Sequence, residues 1–364
     1  MDEARDVAGI SFPFTAGVAA GLWLTGEACH VPVSAGVVSV LSLTAAAVFT
    51  LAAATVRQRY LYAAAFMMTG IFCAAASSAG IAPGPERQGL AMRCAAKLKS
   101  VIDSIPFRSQ DTGALVKALM TGDRSGLSRE TISVFRDSGA SHILALSGLH
   151  LGIIYLIIAR CLSVLGNTVT ARRIRCGCVI IAAGFYTLMT GAGPSITRAF
   201  LFICIRELSG ISAGRRQGAV RTLLICLTVQ LAITPRVLVS VGFQLSYLAV
   251  CGIVTVLPVL QSWYPEPYSR IGRLDPMRWI WNSAALAISC QMFTAPLAWF
   301  RFHTFPRFFL ITNITALPIT TLSMALSAVV IPLTAAGICP EILVIADERL
   351  ISILTGVLEI ICSL

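Results

Sequence analysis

Two short runs near the middle of the chain are the most informative about its fold. Residues 141–150 read SHILALSGLH, and residues 190–199 read TGAGPSITRA. Each run places small residues and an ionisable side chain inside sequence that is otherwise apolar enough to lie in lipid. A polar group in hydrocarbon is costly without a partner, so intramembrane histidine and arginine usually face a cavity, a pore or each other. The two runs therefore mark the candidate functional region.

The composition around these runs is that of a membrane protein. Of the 364 residues, 56% are hydrophobic and only 12% are charged, whereas a soluble domain carries about 25% charged residues. Apolar stretches near the roughly 20 residues that a crossing helix needs recur along most of the chain. We therefore predict an all-α, polytopic integral membrane protein with about 10–11 transmembrane helices and broken helices in its core. The predicted spans are 10–26, 31–56, 60–85, 143–164, 176–192, 195–210, 219–235, 237–260, 279–300, 308–340 (broken or re-entrant) and 342–364.

Three regions follow along the chain. We predict N-terminal transmembrane helices over residues 1–82, an amphipathic helical segment over 83–140, and a transmembrane core over 141–364. In the middle region basic residues alternate with apolar ones three and four apart, which is typical of helices on a membrane surface.

The distribution of arginine predicts the side of the membrane on which this middle region lies. Short loops on the cytoplasmic side of a membrane protein are enriched in Lys and Arg. One set of loops carries twelve arginines and the opposite set carries three, so residues 83–140 are predicted to be extracytoplasmic. The larger set is Arg57, Arg59, Arg172, Arg173, Arg175, Arg206, Arg215, Arg216, Arg221, Arg270, Arg273 and Arg278, and the smaller is Arg236, Arg301 and Arg307.

The net charge of +11 suits either anionic lipid headgroups or a polyanionic substrate, and charge alone does not choose between them. The cysteines lie mostly singly in apolar runs, where cysteine behaves as a small hydrophobe. Cys176 and Cys178 form the only close pair, and no second pair or histidine stands at ligand spacing. We therefore expect neither a metal site nor a cofactor.

The run Gly193-Pro194-Ser195 interrupts an apolar stretch. Proline suits the first helical turn, so a new helix is predicted to begin there with its free N–H groups directed at the break. Such a helix end binds anions, and Arg198 adds a charge one turn further on. The break can therefore hold a phosphate, a carboxylate or a structural acidic partner. The alternative is a hairpin near the outer surface, with Arg198 reaching lipid headgroups.

His142 and His150 are eight residues apart, so on a continuous helix they would lie roughly on one side. Ser147 and His150 are three apart and can form a hydrogen bond. A Ser–His pair can be a hydrolytic dyad, although that also needs an oxyanion hole and a substrate route. Ser and Gly together in a membrane helix more often indicate close helix packing, which is the interpretation that we favour.

Several motifs in order give the chain a family resemblance over about residues 113–337. They are Thr121-Gly122-Asp123-Arg124, the segment 135–150 with its Ser-Gly-Leu-His core, Gly193-Pro194-Ser195 with Arg198-Ala199, the run SVGFQLSYL over 240–248, and Thr312-Asn313-Ile314 leading to Leu317-Pro318. The chain thereby resembles the ComEC family, the competence proteins that form the channel for single-stranded DNA in the bacterial inner membrane during natural transformation.

The resemblance implies a channel in the bacterial cytoplasmic membrane and not an enzyme. A strand crossing lipid needs its phosphates paired or hydrated, with hydrogen-bonding groups instead of tight ionic traps. Arg198 and the helix end at Ser195 are expected to meet phosphates, and Tyr247 or Phe243 could stack bases. The predicted DNA path is lined by His142, Ser147, His150, Ser195, Arg198, Gln244, Ser246 and Asn313.

Longer family members carry an OB-like domain and a metallo-β-lactamase-like domain. We expect neither here, because 83–140 has few strand-like runs and four histidines without a cluster cannot build a two-metal site. No phosphate-binding loop is present, so the resemblance implies a cytoplasmic helicase-like motor. Besides single-stranded DNA and the bilayer, an extracytoplasmic DNA receptor and a homo-oligomer are compatible with it. Two other functions stay open: an intramembrane hydrolase using Ser147 and His150, and a small-solute or lipid carrier.

Overall fold

A computed structural model describes residues 2–26, 34–56, 58–79, 88–166, 168–212, 218–264, 275–303 and 306–364. Within these ranges every regular element is helical, which confirms the all-α prediction. The helices are α1 (Asp2–Thr25), α2 (Ala35–Val56), α3 (Arg59–Ser78), α4 (Gln88–Asp103), α5 (Gln110–Thr121), α6 (Arg129–Asp137), α7 (Ser141–Leu144), α8 (Gly148–Cys161), α9 (Val169–Met189), α10 (Pro194–Ser212), α11 (Ala219–Ile233), α12 (Val241–Thr255), α13 (Leu257–Ser262), α14 (Pro276–Phe302), α15 (Phe309–Ala335) and α16 (Glu341–Cys362).

Seven helical segments in the described part of the chain are long and apolar enough to cross a membrane, which confirms a polytopic protein. Four further predicted crossings stay predictions. The helix α11 is apolar but has only 15 residues, whereas α9, α10 and α16 are longer and carry charged side chains. The seven are Arg5–Thr25, Ala35–Ala54, Arg59–Ser78, Gly148–Leu165, Val241–Ser262, Pro276–Phe302 and Phe309–Ala335.

The helix α15 corrects one prediction. A broken or re-entrant helix was expected over 308–340, but α15 is one continuous helix of 27 residues with Pro318 and Pro332 inside it. A helix of this length is about 40 Å long, which a tilted crossing accommodates. Proline in a membrane helix is tolerated where neighbouring elements support the backbone. Here α15 packs against α8, α14 and α16.

The chain forms two compact units, one from residues 1–87 with 201–247 and the other from 88–200 with 248–364. In the first unit α3 packs against α1 and α2, and α11 packs against α1. A Cβ placed on Gly17 would overlap the carbonyl of Met67, so the glycine allows α1 and α3 to meet backbone to backbone. The Ser11 and Thr228 hydroxyls, 2.8 Å apart, join α1 to α11.

The second unit is built around α15 and α16. One hydrophobic core contains Phe135 of α6, Met324 of α15 and Leu354 of α16, together with residues of α4, α5, α7 and α8. The described part of the polar segment therefore shares a core with the helices that follow it. This division follows packing, whereas the predicted division into 1–82, 83–140 and 141–364 follows membrane topology and stays a prediction.

Some residues on which the predicted topology depends lie outside the described ranges. The predicted boundary between residues 82 and 83 lies outside the described residues. So do residues 31–33 and 80–85 of two predicted spans. The arginines of the orientation argument outside the described residues are Arg57, Arg215, Arg216, Arg270 and Arg273.

The Thr-Gly-Asp-Arg motif connects α5 to α7. Gly122 ends α5 in the left-handed conformation (φ 78°), and Arg124 Nε donates to the Leu144 carbonyl at 3.1 Å. Lys99 of α4 forms an ion pair with Asp123 at 2.6 Å. The hydrogen bond from Lys99, with further bonds from Ser125, holds the pKa of Asp123 far below its usual range. The motif therefore fixes the start of the candidate site.

Candidate functional site

The chain breaks between α7 and α8, where one continuous span over 143–164 was predicted. The helix α7 ends at Leu144, Ala145 is extended, and Ser147 is the N-cap of α8 with φ −127° and ψ 173°. His142 and His150 therefore lie on different helices, and the prediction of one helix was wrong. The cause is local, because Ser147 and His150 form a capping box that favours a new helix start.

The capping box fixes the protonation of the His150 ring. The Ser147 Oγ accepts from the Leu149 N–H at 3.3 Å and lies 3.0 Å from His150 Nδ1. His150 Nδ1 also accepts from the Ser147 backbone N–H at 3.3 Å. A backbone N–H can only donate, so Nδ1 carries no proton, and in the neutral imidazole the hydrogen is assigned to Nε2.

The Nε2–H of His150 is a buried donor. The side chain is 1% exposed, and Nε2 has no hydrogen-bond partner in the part of the chain that the structure describes. Leaving such a group unpaired costs about 1–3 kcal/mol. Few buried polar groups are left in this state in folded proteins. The first turn of α8 therefore contains a buried donor that the described chain leaves unsatisfied.

The break between α9 and α10 lies where the Gly-Pro run predicted it. The helix α9 ends at Met189 and α10 begins at Pro194. Gly191 and Ala192 have φ of 83° and 49°, and a left-handed conformation at a residue with a side chain costs about 1–2 kcal/mol. Ser195 is the second residue of α10 and is half-buried.

Arg198 lies against the start of α8. A Cβ placed on Gly148 would be 3.3 Å from Ala199 Cβ and 3.6 Å from Arg198 Nη2, so the missing side chain allows the guanidinium to approach. Arg198 also acts electrostatically on Cys290 of α14. A cation is unfavourable beside the positive N-terminal end of a helix. The geometry therefore places a positive charge beside the start of α8. The sequence predicted close packing at Ser147 and Gly148 and named Arg198, but it did not indicate that Gly148 and Arg198, 50 residues apart, lie against each other.

His142 and Asn313 form a second polar group in the same unit. The Thr312 hydroxyl donates to the Ser138 carbonyl at 2.6 Å, which holds the approach to α7 against α15. His142 Nδ1 lies 3.1 Å from the Gly139 carbonyl and donates to it, because a carbonyl can only accept. The Asn313 amide is close enough to act on the His142 ring. Its Oδ1 is nevertheless buried without a hydrogen-bond partner among the described residues.

His142 is exposed at the start of α7. Desolvation by the surrounding protein nevertheless lowers the pKa of its imidazole. The Gly139 carbonyl and Asn313 oppose this effect without cancelling it. The ring is therefore neutral near pH 7 and leaves Nε2 as an acceptor.

Gln244 and Ser246 belong to the unit that contains residues 201–247. Gln244 Nε2 donates to the Leu238 carbonyl at 2.9 Å, which holds the turn before α12, and Ser246 is half-buried in α12. The Tyr247 hydroxyl donates to Gln230 Oε1 at 2.9 Å, and the Tyr247 ring packs on Phe243 at 4.6 Å. Both rings are buried, so neither presents a face to a base in this structure.

No group of three or more potential metal ligands occurs among the described residues. The site is instead made of helix ends, one arginine and two neutral imidazoles. These features define a class: a multi-pass α-helical protein of the cytoplasmic membrane whose core carries interrupted helices with hydrogen-bond donors at their ends.

The chain belongs to the Competence protein family, whose sequence model matches residues 119–364. This match confirms the family resemblance. The chain is 26% identical over 221 residues to ComE operon protein 3 of Bacillus subtilis (strain 168), an alignment that covers 60% of this chain and 26% of that protein. It is 24% identical over 266 residues to Uncharacterized protein YcaI of Escherichia coli (strain K12), covering 71% and 34%. The aligned region thus spans about a third or less of each relative. No solved structure matches the chain.

Proposed function

We propose that this chain forms a passage for single-stranded DNA across the cytoplasmic membrane during natural transformation. Membership of the Competence family and the likeness to ComE operon protein 3 support a role in DNA uptake. The observation that carries the proposal is the buried Nε2–H of His150, which has no acceptor in the described chain and lies in the helix turn that Arg198 approaches.

The chemistry of these groups suits a polyanion that has to leave again. Nucleic acid binding is dominated by phosphates, and too many fixed cations would hold a strand in place. The start of α8 offers one guanidinium and a neutral imidazole donor. Phosphate oxygens accept hydrogen bonds from both kinds of donor. One charge with several neutral donors therefore binds each phosphate weakly enough for passage.

The remaining path residues act as neutral polar lining in this proposal. Ser195 opens α10 next to the Gly-Pro break, and His142 and Asn313 supply an acceptor and an amide. Gln244 and Ser246 of the first unit stay predicted path residues. The driving force comes from a cytoplasmic motor of the helicase type, and an extracytoplasmic receptor delivers the strand.

The hydrolase alternative has a specific observation against it. The Ser147 Oγ and His150 Nδ1 are 3.0 Å apart, as a dyad requires, but both atoms also bond to backbone N–H groups of the cap. A catalytic imidazole is usually oriented by a group on its other nitrogen. In the described residues His150 Nε2 has none. The geometry favours a cap over a nucleophile, and no observation favours the carrier.

Passage of a fluorescent single-stranded oligonucleotide into liposomes that contain the purified protein tests the proposal. Arg198→Gln is expected to lower the initial rate about tenfold, equivalent to about 1.4 kcal/mol of lost phosphate interaction. Arg206→Gln is the matched control, because it removes the same charge from an exposed position on the same helix. Equal rates for both variants and the unmodified protein would overturn the role of Arg198. Passage of small anions with exclusion of the oligonucleotide would indicate a carrier.

A further inference from the structure

A buried carboxylate lies between α15 and α16, away from the site described above. Asp347 of α16 is 0% exposed. Its Oδ1 accepts from the Ser323 hydroxyl at 2.8 Å, and its Oδ2 accepts from the Ser327 hydroxyl at 2.6 Å. Both serines belong to α15 and are themselves 0% and 2% exposed. The three side chains therefore form a closed polar cluster inside an apolar helix pair.

No positive charge compensates Asp347 within the described residues. The helix α15 contains no ionisable side chain. Lys117 of α5 pairs with Asp103, and Arg136 of α6 pairs with its neighbour Asp137. On α16 itself, Glu348 accepts from the Ser109 N–H at 3.1 Å. None of the other charged groups on α16 or on the elements packed against it forms an ion pair with Asp347. These groups are Asp111 of α5, Arg129 and Glu130 of α6, and Glu341, Arg349 and Glu359 of α16.

An isolated carboxylate in such surroundings is strongly unfavourable, and the group takes up a proton instead. The two serines fit either state. With a carboxylate, both hydroxyls donate. With a carboxylic acid, one hydroxyl donates to the carbonyl oxygen and the other accepts from the O–H, because each hydroxyl has a donor and an acceptor function. A cluster that satisfies its hydrogen bonds in both states can bind a proton reversibly.

We propose that Asp347, Ser323 and Ser327 form a proton-binding site that controls the contact between α15 and α16. With the contact closed, the carboxyl group keeps its proton. When the helices separate and water enters, the O–H bond breaks, the proton passes to water and the carboxylate remains hydrated. Closure requires the reverse transfer.

The site acts on the rest of its unit through α15. The N-terminal part of this helix carries Thr312, which holds Ser138, and Asn313, which lies near His142. A shift of α15 against α16 therefore changes the surroundings of His142. The proton site is independent of the proposed passage of DNA, because its residues and hydrogen bonds do not involve the transported molecule.

The test measures the unfolding equilibrium of the full chain in lipid nanodiscs across about pH 5–8. If the folded state holds one proton more than the unfolded state, stability falls as pH rises, and the unfolding constant increases by up to about tenfold per pH unit. Asp347→Asn, which resembles the neutral acid, is expected to fold and to remove this slope. Glu359→Gln alters an exposed carboxyl on the same helix and is expected to keep it.

Three results would overturn the proposal. The slope could be the same in the unmodified protein and in Asp347→Asn. Alternatively, sodium chloride could stabilise the unmodified protein where choline chloride does not, and Asp347→Asn could abolish this difference. That result would indicate a sodium site. If Asp347→Asn does not fold, infrared spectroscopy of the unmodified protein decides. A protonated buried carboxylic acid gives a carbonyl band that shifts in D2O, and absence of that band at neutral pH excludes the proton.

Discussion

Replacing Ser147 by alanine separates a helix cap from a nucleophile. The change removes the acceptor of the Leu149 N–H and the contact with His150 Nδ1. Loss of a serine N-cap costs about 1 kcal/mol, and the lost hydrogen bond to a buried imidazole adds at most about 1 kcal/mol. His150 Nδ1 keeps its bond from the Ser147 backbone, which limits the second amount. We expect a total of about 1–2 kcal/mol, or about a fivefold to thirtyfold larger unfolding constant.

The measurement is a denaturant titration in detergent micelles, followed by helical circular dichroism. Ser163→Ala is the matched control, because the Ser163 hydroxyl is exposed and bonds only the Arg160 carbonyl at 2.6 Å beyond the other end of α8. Its effect should stay within about 0.5 kcal/mol. Ser147→Thr keeps a capping hydroxyl and should recover most of the stability.

A nucleophile would behave differently. If Ser147→Ala were as stable as the unmodified protein, the capping argument would be refuted. Covalent labelling of Ser147 by a fluorophosphonate, absent in Ser147→Ala, would establish the hydrolase instead.

Two further predictions concern the turns that frame the site. Ala192→Gly should stabilise the protein by about 0.5–1 kcal/mol in the same titration, because glycine relieves the positive φ of 49°. A destabilised variant would show that the turn is held by something other than its backbone conformation. The Lys99–Asp123 pair should stabilise the protein above the ordinary pKa of an aspartate and lose that contribution as pH falls, since the pKa of Asp123 is lowered. Asp123→Asn should flatten this acid dependence, by less than about 1 kcal/mol because both side chains are partly exposed. If Asp123→Asn lost stability at low pH as the unmodified protein does, the Lys99–Asp123 pair would be excluded as the cause of that loss.

The lengths of the apolar helices and the start of α10 could be predicted from the sequence because they depend on local properties. An apolar run of bilayer length predicts a helix without knowledge of its neighbours, and seven such helices are present in the described chain. The Gly-Pro run likewise predicted the start of α10 at Pro194, since proline suits the first turn of a helix.

Features that depend on packing between distant segments could not be predicted from the sequence. Ser147 and Gly148 are as suitable for close packing inside one helix as for a new helix start, and only the capping bonds of His150 distinguish the two. Pro318 predicted a break that packing against α8, α14 and α16 prevents. The approach of Arg198 to Gly148 joins positions 50 residues apart, and no spacing rule in the sequence indicates it.

The break between α7 and α8 gives His142 and His150 different hydrogen-bond partners, and these partners assign them opposite tautomers. His150 uses Nδ1 as an acceptor inside the cap and presents Nε2–H, whereas His142 donates from Nδ1 to Gly139 and presents Nε2 as an acceptor. A phosphate can use only the donor, but a nucleobase edge carries both donors and acceptors. The second helix start is what sets the two rings apart. In the proposed passage, the exposed His142 can accept hydrogen bonds from base edges, whereas a phosphate reaches the buried Nε2–H of His150 only when the first turn of α8 opens.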